Sequence, residues 1–563
     1  MDYLASFTQA CAAFDVNSQS DVASLATLLE PITAKLAQSK SQRERLGEND
    51  ELWTDLRKLW RDLSRAQLTF WDNDDSGDEG DDDAEKIKQH NLKNLSASLA
   101  RFTRNLVAGI PRNQKKAFEN EPSIRRLLHY YTSWSFMEDE EMARILAQTL
   151  SNIVAGNDLV VATLWNTYMN LPEDQVVLIR LLSSADPRTL LAVLILILNC
   201  IDGSRTRIKM LTRTETGVRI CISLLDSMVQ LYDADDATEG ARAFDIGYEI
   251  FSRIMAVDLV PSLFNRLSMA DEIITPHQTT LLKLVDSYLQ AARMSAIPTT
   301  PHGTPLYGKL RPMLAKTFFS LSSYAQSSIC NSLGISNSNT APKQHLGAQQ
   351  APDGASAAFE PPSSLDVMLP RVSEALVLVT QCIVTMTLES MDMDTHSAVM
   401  EQNSQDFFNE ASSADQGVVE SLTELLRLLD LFLPRINFGK PVGVTGPDLK
   451  AALPTHVQPR DGGGGDGTGF SYLKRDLVRL LGILCHGIKA VQDRARLCGG
   501  IEVVMNLCVI DERNPYLREH AIFTLHNLLD HNPENQAVVE AIKPSGKWDD
   551  SGILQETAGA VRR

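Results

Sequence analysis

The sequence has few aromatic residues, no long apolar run and no basic leader. Aromatic residues make up 6% of the 563 residues, so Leu, Ala and Ile dominate an apolar fraction of 44%. That balance favours helices over strands. The longest uninterrupted apolar run, Leu190 to Leu198, is far shorter than the ~20 residues that a membrane-spanning helix needs. We therefore expect a helical protein with no signal peptide and no membrane insertion.

Paired cysteine motifs are also missing, which argues against a disulfide framework or a zinc finger. The eight cysteines are scattered and form no C-x-x-C pair, as expected for reduced thiols in a cytosolic or nuclear protein. Copper or zinc binding is an alternative, because thioether, thiolate and imidazole groups suit these metals. The candidates lack tight ligand spacing, so we expect no cofactor and no metal site. They are Met386, Met391, Met393, Cys485, Cys498, Cys508, His520, His526 and His531.

The catalytic motifs with a recognisable spacing are absent as well. The glycine run Gly462 to Gly469 is not followed by Lys-Ser or Lys-Thr, so it predicts a flexible linker rather than a phosphate-binding loop. There is no G-x-S-x-G, no H-E-x-x-H and no dinucleotide fingerprint after a strand. The prediction is that the chain is not an enzyme.

The charge is strongly acidic and unevenly placed. The formal net charge is -18, which argues against nucleic acid as a partner. Nine of the fourteen residues from Asp72 to Glu85 are acidic, which predicts a solvated loop. Six of its residues have a partial calcium-loop spacing, but Glu79 occupies a position that is usually apolar. Ser76, which precedes Asp78 and Glu79, is a candidate phosphorylation site for an acidophilic kinase.

Helical and low-complexity stretches alternate along the chain and suggest a domain plan. Helical spacing is clear at Glu141 to Val154 and at Thr189 to Cys200, whereas prolines, glycines and small polar residues mark the linkers. The predicted segments are N-terminal helices (1–70), an acidic disordered loop (71–85), armadillo-like repeats (86–295), a low-complexity linker (296–364), helices (365–435), a Gly/Pro-rich linker (436–469), a C-terminal armadillo domain (470–545) and a tail (546–563).

Internal repeats indicate a solenoid. Three ten-residue segments align without gaps: Asn105 to Gln114 (NLVAGIPRNQ), Ile483 to Gln492 (ILCHGIKAVQ) and Asn527 to Gln536 (NLLDHNPENQ). A looser copy, SNIVAGND, contains Asn152, 47 residues after Asn105. Periods of this length are typical of two- or three-helix repeat units, which stack because one unit cannot bury its apolar face alone. The fold class is therefore predicted to be all-α, an armadillo/HEAT-like solenoid with disordered loop insertions.

The C-terminal repeat carries local start signals for its helices. Asn514-Pro515 and Asn532-Pro533 each look like an N-cap followed by proline in the first helical turn. The pattern Gly-Gly-Ile, a helix, then Ala-x-x-x-Leu-x-Asn-Leu resembles an armadillo repeat. Its residues here are Gly499, Gly500, Ile501, Ala521, Leu525, Asn527 and Leu528.

The segment from Phe470 to Ile542 resembles the C-terminal domain of the ataxin-10 family. The resemblance is carried by FSYLKRDLVRLLGILC, VQDRARLCGGIEVVMNLCVIDERNPYLREHAI and NLLDHNPENQAVV. It covers about the last 75 residues, and the long inserts between Ala296 and Gly469 look like those of a fungal member. The resemblance implies a cytoplasmic protein-binding scaffold or adaptor, with fungal members associated with the regulation of cytokinesis.

The armadillo resemblance also implies candidate binding residues. An Asn on the third helix of such repeats can hydrogen-bond an extended peptide, and the positions that match are Asn105, Asn152 and Asn527. Alternatively, each Asn ties its helix to the next turn or repeat. Function is thus predicted as a scaffold for other proteins, with a cargo receptor or chaperone-like module and a copper-handling protein as alternatives. The sequence leaves self-association open, including a homo-oligomer.

Overall fold

The structure is a computed structural model, and it describes most of the chain. The described residues are 3–68, 82–133, 140–294, 308–335, 366–393, 403–433, 435–437, 440–441, 470, 472–512, 514–542, 546–548 and 554–556. Residues 69–81, which include most of the acidic run with Ser76 and most of the calcium-like spacing, lie outside them, and so does most of the predicted linker at 436–469. The end of the predicted acidic loop, 82–85, is wrong, because these residues belong to a helix that begins at Asp82.

The described residues form α-helices and three short antiparallel strand pairs, β1–β2, β3–β4 and β5–β6. In chain order, the helices are α1 (Tyr3–Ala12), α2 (Gln19–Gln38), α3 (Lys40–Gly47), α4 (Asp50–Leu68), α5 (Asp82–Val107), α6 (Pro111–Ala117), α7 (Glu121–Tyr131), α8 (Glu140–Val154), α9 (Asp158–Met169), α10 (Val177–Leu182), α11 (Pro187–Ile201), α12 (Arg205–Arg213), α13 (Glu215–Leu231), α14 (Glu239–Ala256), α15 (Val260–Arg266), α16 (Pro276–Met294), α17 (Leu310–Ser332), α18 (Leu369–Met393), α19 (Ser404–Glu410), α20 (Val418–Phe432), α21 (Leu473–Cys485), α22 (Lys489–Leu497), α23 (Gly500–Leu507), α24 (Leu517–Leu529) and α25 (Pro533–Ala541). The strands are β1 (Ser412–Ser413), β2 (Gln416–Gly417), β3 (Ile436–Asn437), β4 (Lys440–Pro441), β5 (Gly546–Trp548) and β6 (Leu554–Glu556).

The chain divides into two compact units, Met1–Leu267 and Ser268–Arg563. In the first unit, each helix of one series packs against the helix three places later in the chain. This series is α2, α5, α8, α11 and α14, and we call it the unit 1 ladder. In the second unit, α16, α18, α21 and α24 pack in sequence, and α17 and α20 pack beside them. Both arrangements are those of stacked helical repeats, so the predicted all-α, armadillo-like fold class is confirmed.

Helix α11 shows how the sequence specifies a ladder helix. Asp186 accepts hydrogen bonds from the backbone N–H groups of Arg188 (3.2 Å) and Thr189 (3.0 Å), and Pro187 occupies the first turn. The helix is apolar almost all round because it packs between α8 and α14. It ends before Gly203, whose positive φ of 66° reverses the chain at little steric cost.

The same chain reversal recurs with a 47-residue period. Gly109, Gly156 and Gly203 have φ values of 69°, 69° and 66°, and each follows a ladder helix. An added Cβ would meet no atom within 4 Å at any of them, so the backbone conformation rather than lack of space favours glycine. The repeat seen between Asn105 and Asn152 therefore continues into α11.

The predicted linker at 296–364 is wrong over the part that the structure describes. Residues Leu310–Ser332 form α17, which buries Leu314, Phe318, Leu321 and Ile329. These side chains recur at helical spacing. Their burial compensates the conformational entropy that the segment loses on folding, which small polar residues alone do not compensate. The predicted armadillo-like repeats end at residue 295, whereas the first compact unit ends at Leu267.

One of the two predicted N-caps in the C-terminal repeat is also wrong. Asn532 caps α25 by accepting from the backbone N–H of Asn535 at 3.2 Å, as predicted. Asn514 is instead buried and donates to Asp511 Oδ2 at 3.0 Å. Helix α24 begins two residues after Pro515, preceded by Tyr516 in the left-handed region with φ 65°.

One described helix is long and apolar enough to span a membrane by composition alone. Residues Leu369–Met391 of α18 meet that criterion, but 67% of the apolar window is buried inside the protein. The helix packs against α16, α17 and α21, all in the same unit. Its composition is accounted for by its place in a core.

Candidate protein-binding site

The three candidate asparagines are positioned by neighbouring helices, and each already donates a hydrogen bond within the chain. Asn105 Nδ2 donates to Thr33 O (3.1 Å), Asn152 Nδ2 to Arg104 O (3.1 Å) and Asn527 Nδ2 to Gly482 O (3.0 Å). Each bond links a helix to the preceding helix of its series: α5 to α2, α8 to α5 and α24 to α21. Their amide N–H groups therefore connect neighbouring repeats, which is the alternative to peptide binding.

A fourth asparagine at the same period escaped the sequence analysis. Asn199 lies 47 residues after Asn152, on α11, and its Nδ2 donates to Ser151 Oγ on α8 at 2.9 Å. The period itself, with Gly203 four residues later, was the signal that could have identified it.

The last residue of the aligned ten-residue motif has a structural role that its type alone did not reveal. Gln114 Nε2 donates to Asn152 O (2.9 Å) and Ala155 O (2.8 Å), near the end of the following ladder helix. Gln492 Nε2 makes the equivalent bonds to Asn527 O (2.9 Å) and Asp530 O (3.4 Å). Because helix ends leave carbonyls without intrahelical partners, these glutamines satisfy groups that would otherwise be buried and unpaired.

The cap asparagine of the next helix completes this connection. Asn157 Nδ2 donates to Gln114 Oε1 at 3.2 Å, and Asn532 Nδ2 donates to Gln492 Oε1 at 3.1 Å. Gln114 and Gln492 are almost fully buried, whereas Gln536, at the same motif position in the last repeat, is exposed and donates to Leu529 O of its own repeat. We call this paired connection the glutamine clamp. It explains why the motif recurs.

The exposed side of the unit 1 ladder carries a depression that these contacts do not fill. It has a volume of about 420 Å³ and spans four ladder helices. We call it the arginine depression, and it is lined by Arg104, Arg144, Gln148, Ser151, Asn152, Arg188, Leu191, Ala192, Ile195 and Glu239. Of the three candidate asparagines, only Asn152 lies in it, so the structure does not bring the three to one site.

Two of the three arginines in the depression have no carboxylate partner among the residues that the structure describes. Arg144 Nη1 pairs with Asp186 Oδ2 at 3.3 Å. Arg104 instead donates to the side-chain amide oxygen of Gln148, and neither Arg104 nor Arg188 forms an ion pair within the described part of the chain. Burial, together with the nearby Arg101, lowers the pKa of Arg104 from its usual value. Its charge is therefore partly desolvated and poorly compensated.

Glu239, which lines the depression, and Glu141, which lies on α8 beside it, both form ion pairs. Arg101 Nη2 lies 2.7 Å from Glu141 Oε1, and Arg242 Nη1 lies 3.2 Å from Glu239 Oε2. Three arginines and one glutamate line the depression, so positive charges outnumber negative ones there, in a chain whose formal net charge is -18.

The described residues contain no group of three or more His, Cys, Asp or Glu side chains that could hold a metal ion. Burial raises the pKa of Cys485, Cys498 and Cys508, which disfavours the thiolate form that binds metals. The copper or zinc alternative gains no support from this part of the chain.

Comparison with known proteins identifies the C-terminal segment. Residues 473–562 match the model of the spinocerebellar ataxia type 10 protein domain. This segment is similar to the C-terminal part of the ataxin-10 family. It is 41% identical over 73 residues to the ataxin-10 homolog of Dictyostelium discoideum, covering 13% of this chain and 12% of that protein. Human ataxin-10 is 33% identical over 90 residues, covering 16% and 19%, and the Candida albicans ataxin-10 homolog is 33% identical over 92 residues, covering 16% and 20%.

The ataxin-10 match confirms the resemblance stated for the C-terminal repeat, although it spans at most about a fifth of these relatives. Solved structures of helical repeat proteins align over most of the chain. The structure of SYS-1 aligns over 96% of this chain and 95% of its own, with 12% identity and a TM-score of 0.30. Because that score is below 0.5, the fold assignment rests on the helix packing described above.

Proposed function

We propose that the chain is a non-enzymatic scaffold that binds other proteins, and that it acts in the cytoplasm in the regulation of cytokinesis. The observation that carries the proposal is the open arginine depression on the unit 1 ladder, because it combines unpaired guanidinium groups with apolar surface. Arginine beside exposed apolar side chains is typical of protein interfaces. The cellular role rests on the ataxin-10 resemblance of the C-terminal segment alone.

The glutamine clamps and asparagine bonds support a scaffold rather than a catalyst. They are used to hold successive repeats in a fixed order, so the exposed ladder surface is a rigid platform on which a partner can dock without reorganising the protein. The peptide-binding role of Asn105, Asn152 and Asn527 stays a prediction. Of the three, only Asn152 lines the depression, and its Oδ1 accepts no hydrogen bond from the described residues.

Affinity purification with mass spectrometry from dividing cells tests this function. We expect proteins of the division site to co-purify with the wild-type chain and to be lost with Arg188→Glu/Ile195→Ser, which changes the depression without touching a clamp. The matched control is Arg205→Glu/Leu159→Ser, at exposed residues on α12 and α9 outside the depression. Recovery of no division-site protein with the wild-type chain would contradict the cellular role. If the Arg188→Glu/Ile195→Ser variant recovers the same proteins as the Arg205→Glu/Leu159→Ser control, the arginine depression is not the binding surface.

A further inference from the structure

We infer that the arginine depression binds an extended acidic peptide segment, in which Asp or Glu side chains pair with Arg104 and Arg188 and a large apolar side chain contacts Ile195. This rests on the proposed protein-binding function and adds to it the chemistry of the partner. The argument uses the charges, the apolar surface and the spacing of the helices.

The charges favour an anionic partner at this place. Arg188 is exposed and Arg104 half-buried, and neither has a carboxylate partner within the described residues. Arg144 is also present but is occupied by Asp186. A partner that supplies carboxylates would compensate the two unpaired charges, and charge-assisted bonds of this kind are among the stronger hydrogen bonds in proteins.

The apolar surface favours a peptide over a nucleic acid. Ile195 is 37% exposed although it lies on one of the most buried helices of the chain, and Leu191 and Ala192 line the same depression. A sugar–phosphate backbone has no group that would cover this surface, whereas an apolar side chain next to an acidic one does. The net charge of -18 also repels a nucleic acid, whose charge is not confined to two positions.

The helix spacing sets the form of the peptide. Packed helices lie about 8–10 Å apart, and an extended chain advances about 3.3 Å per residue, so it spans roughly three residues for each ladder helix that it crosses. Arg104 lies on α5 and Arg188 on α11, with α8 between them. The two acidic residues of the expected segment are therefore about six positions apart, because two helix spacings separate α5 from α11. The large apolar residue lies near the acidic residue that pairs with Arg188, because Ile195 and Arg188 are both on α11. Asn152, on the middle helix, is placed to accept a hydrogen bond from the peptide backbone through Oδ1.

A library of random twelve-residue peptides displayed on yeast, sorted for binding to the full chain, tests the inference. We expect the enriched peptides to contain two Asp or Glu residues about six positions apart, with a large apolar residue near one of them. Replacing these carboxylates by Asn and Gln should weaken binding by at least about tenfold, and so should Arg104→Gln/Arg188→Gln in the protein. The control Arg205→Gln, on α12 outside the depression, should bind like the wild type.

The outcomes separate this inference from the proposed function. Enrichment of peptides without acidic residues, or equal binding to the Arg104→Gln/Arg188→Gln variant, overturns the acidic-peptide inference and leaves the scaffold function standing. The inference also fails if no peptide is enriched, because the segment is expected to bind without the rest of its protein. The scaffold function itself is decided by the purification from dividing cells. Circular dichroism of the double variant, which should match the wild type, excludes loss of folding as the cause.

Discussion

Gln492 illustrates how a single buried side chain connects two repeats. Its Nε2 serves two carbonyls near the end of the next helix, and its Oε1 accepts from the Asn532 cap. An amide is suited to this position because it offers two donor hydrogens and an acceptor in one plane. Gln536 occupies the equivalent place with no such partners, because no further repeat follows α25 within the described residues.

This difference gives a matched pair of substitutions. Gln492→Ala should lower the free energy of unfolding of the second unit by about 1–3 kcal/mol, since it removes the donor to the Asn527 carbonyl and one of the two acceptors of the Asn532 amide. Gln536→Ala should change it by less than about 0.5 kcal/mol, because its side chain is exposed. Urea unfolding followed by circular dichroism measures both values. Equal losses for the two variants would show that the clamp does not contribute as described.

Asp186 connects local helix capping to stability at low pH. Burial opposes its ionisation, but hydrogen bonds from the Thr189 hydroxyl and from backbone N–H groups, with Arg144 nearby, hold the pKa of this carboxyl below its usual value. The folded state therefore favours the carboxylate. Its contribution is complete above the unfolded pKa of about 3.9 and is lost as the pH falls through the lower folded pKa.

We expect Asp186→Ala to lower the free energy of unfolding of the first unit by about 1–2 kcal/mol at neutral pH. The difference from the wild type should shrink as the pH falls below about 4, because the wild-type carboxylate becomes protonated. Asp158→Ala is the control, since the Asp158 side chain is 94% exposed at the start of α9. Urea unfolding at pH 7 and pH 3 gives the comparison. A deficit for Asp186→Ala that stays constant with pH would contradict the linkage.

At the scale of single residues, the sequence indicated which positions recur but not which contacts their side chains make. The motif ending in Gln was visible, but whether Gln492 binds a ligand or its own neighbour depends on what lies beside it in space. Asn514 failed as a predicted cap for the same reason: the helix begins at Leu517, and the Asn514 Oδ1 that a cap would use accepts no hydrogen bond from the described residues. Asn532 has the same sequence signal and caps its helix as predicted.

Among the helices, α20 is tied to the ataxin-10 segment although it lies outside the family match. Arg494 of α22 forms two bonds with Glu420 of α20, at 2.9 and 2.7 Å. Lys474 of α21 is fully buried and donates to Asp430 Oδ1 at 3.2 Å and to Leu433 O at 3.0 Å. Charged groups buried in this way need their partners, so α21 depends on α20.

A fragment test follows from these contacts. Residues 473–563 alone should fail to form a stable helical domain, because α21 would expose the faces that α18 and α20 cover and would leave Lys474 without Asp430. Residues 268–563, which keep these helices, should fold. Far-ultraviolet circular dichroism with urea unfolding compares the two fragments. A cooperative transition in the shorter fragment would contradict the dependence on α20.

Helices with a clear apolar spacing were predicted well. A helix inside a stretch of mixed composition, and the boundary between the two units, were not predicted. The limits expected for α8 and α11 differ from the observed ones by one or two residues, because apolar spacing and caps agree there. Helix α17 is not predicted, because the stretches on either side of it are rich in small polar residues and their composition hides its apolar spacing. The sequence around Leu267 has no linker-like composition, so the boundary between the two units is visible only in the tertiary contacts.

For the whole molecule, the central claim is that the repeats use their asparagines and glutamines to hold each other, which leaves the arginine depression to bind a protein. Hydroxyl-radical footprinting of the chain, alone and with a partner purified from dividing cells, tests it most directly because oxidation reports the exposure of individual side chains. We predict that Ile195 and Leu191 become protected in the complex, whereas Leu159, which is 78% exposed on α9, is oxidised equally in both states. Unchanged oxidation of Ile195, with protection at Leu159 or at Phe523 of α24, would contradict the claim.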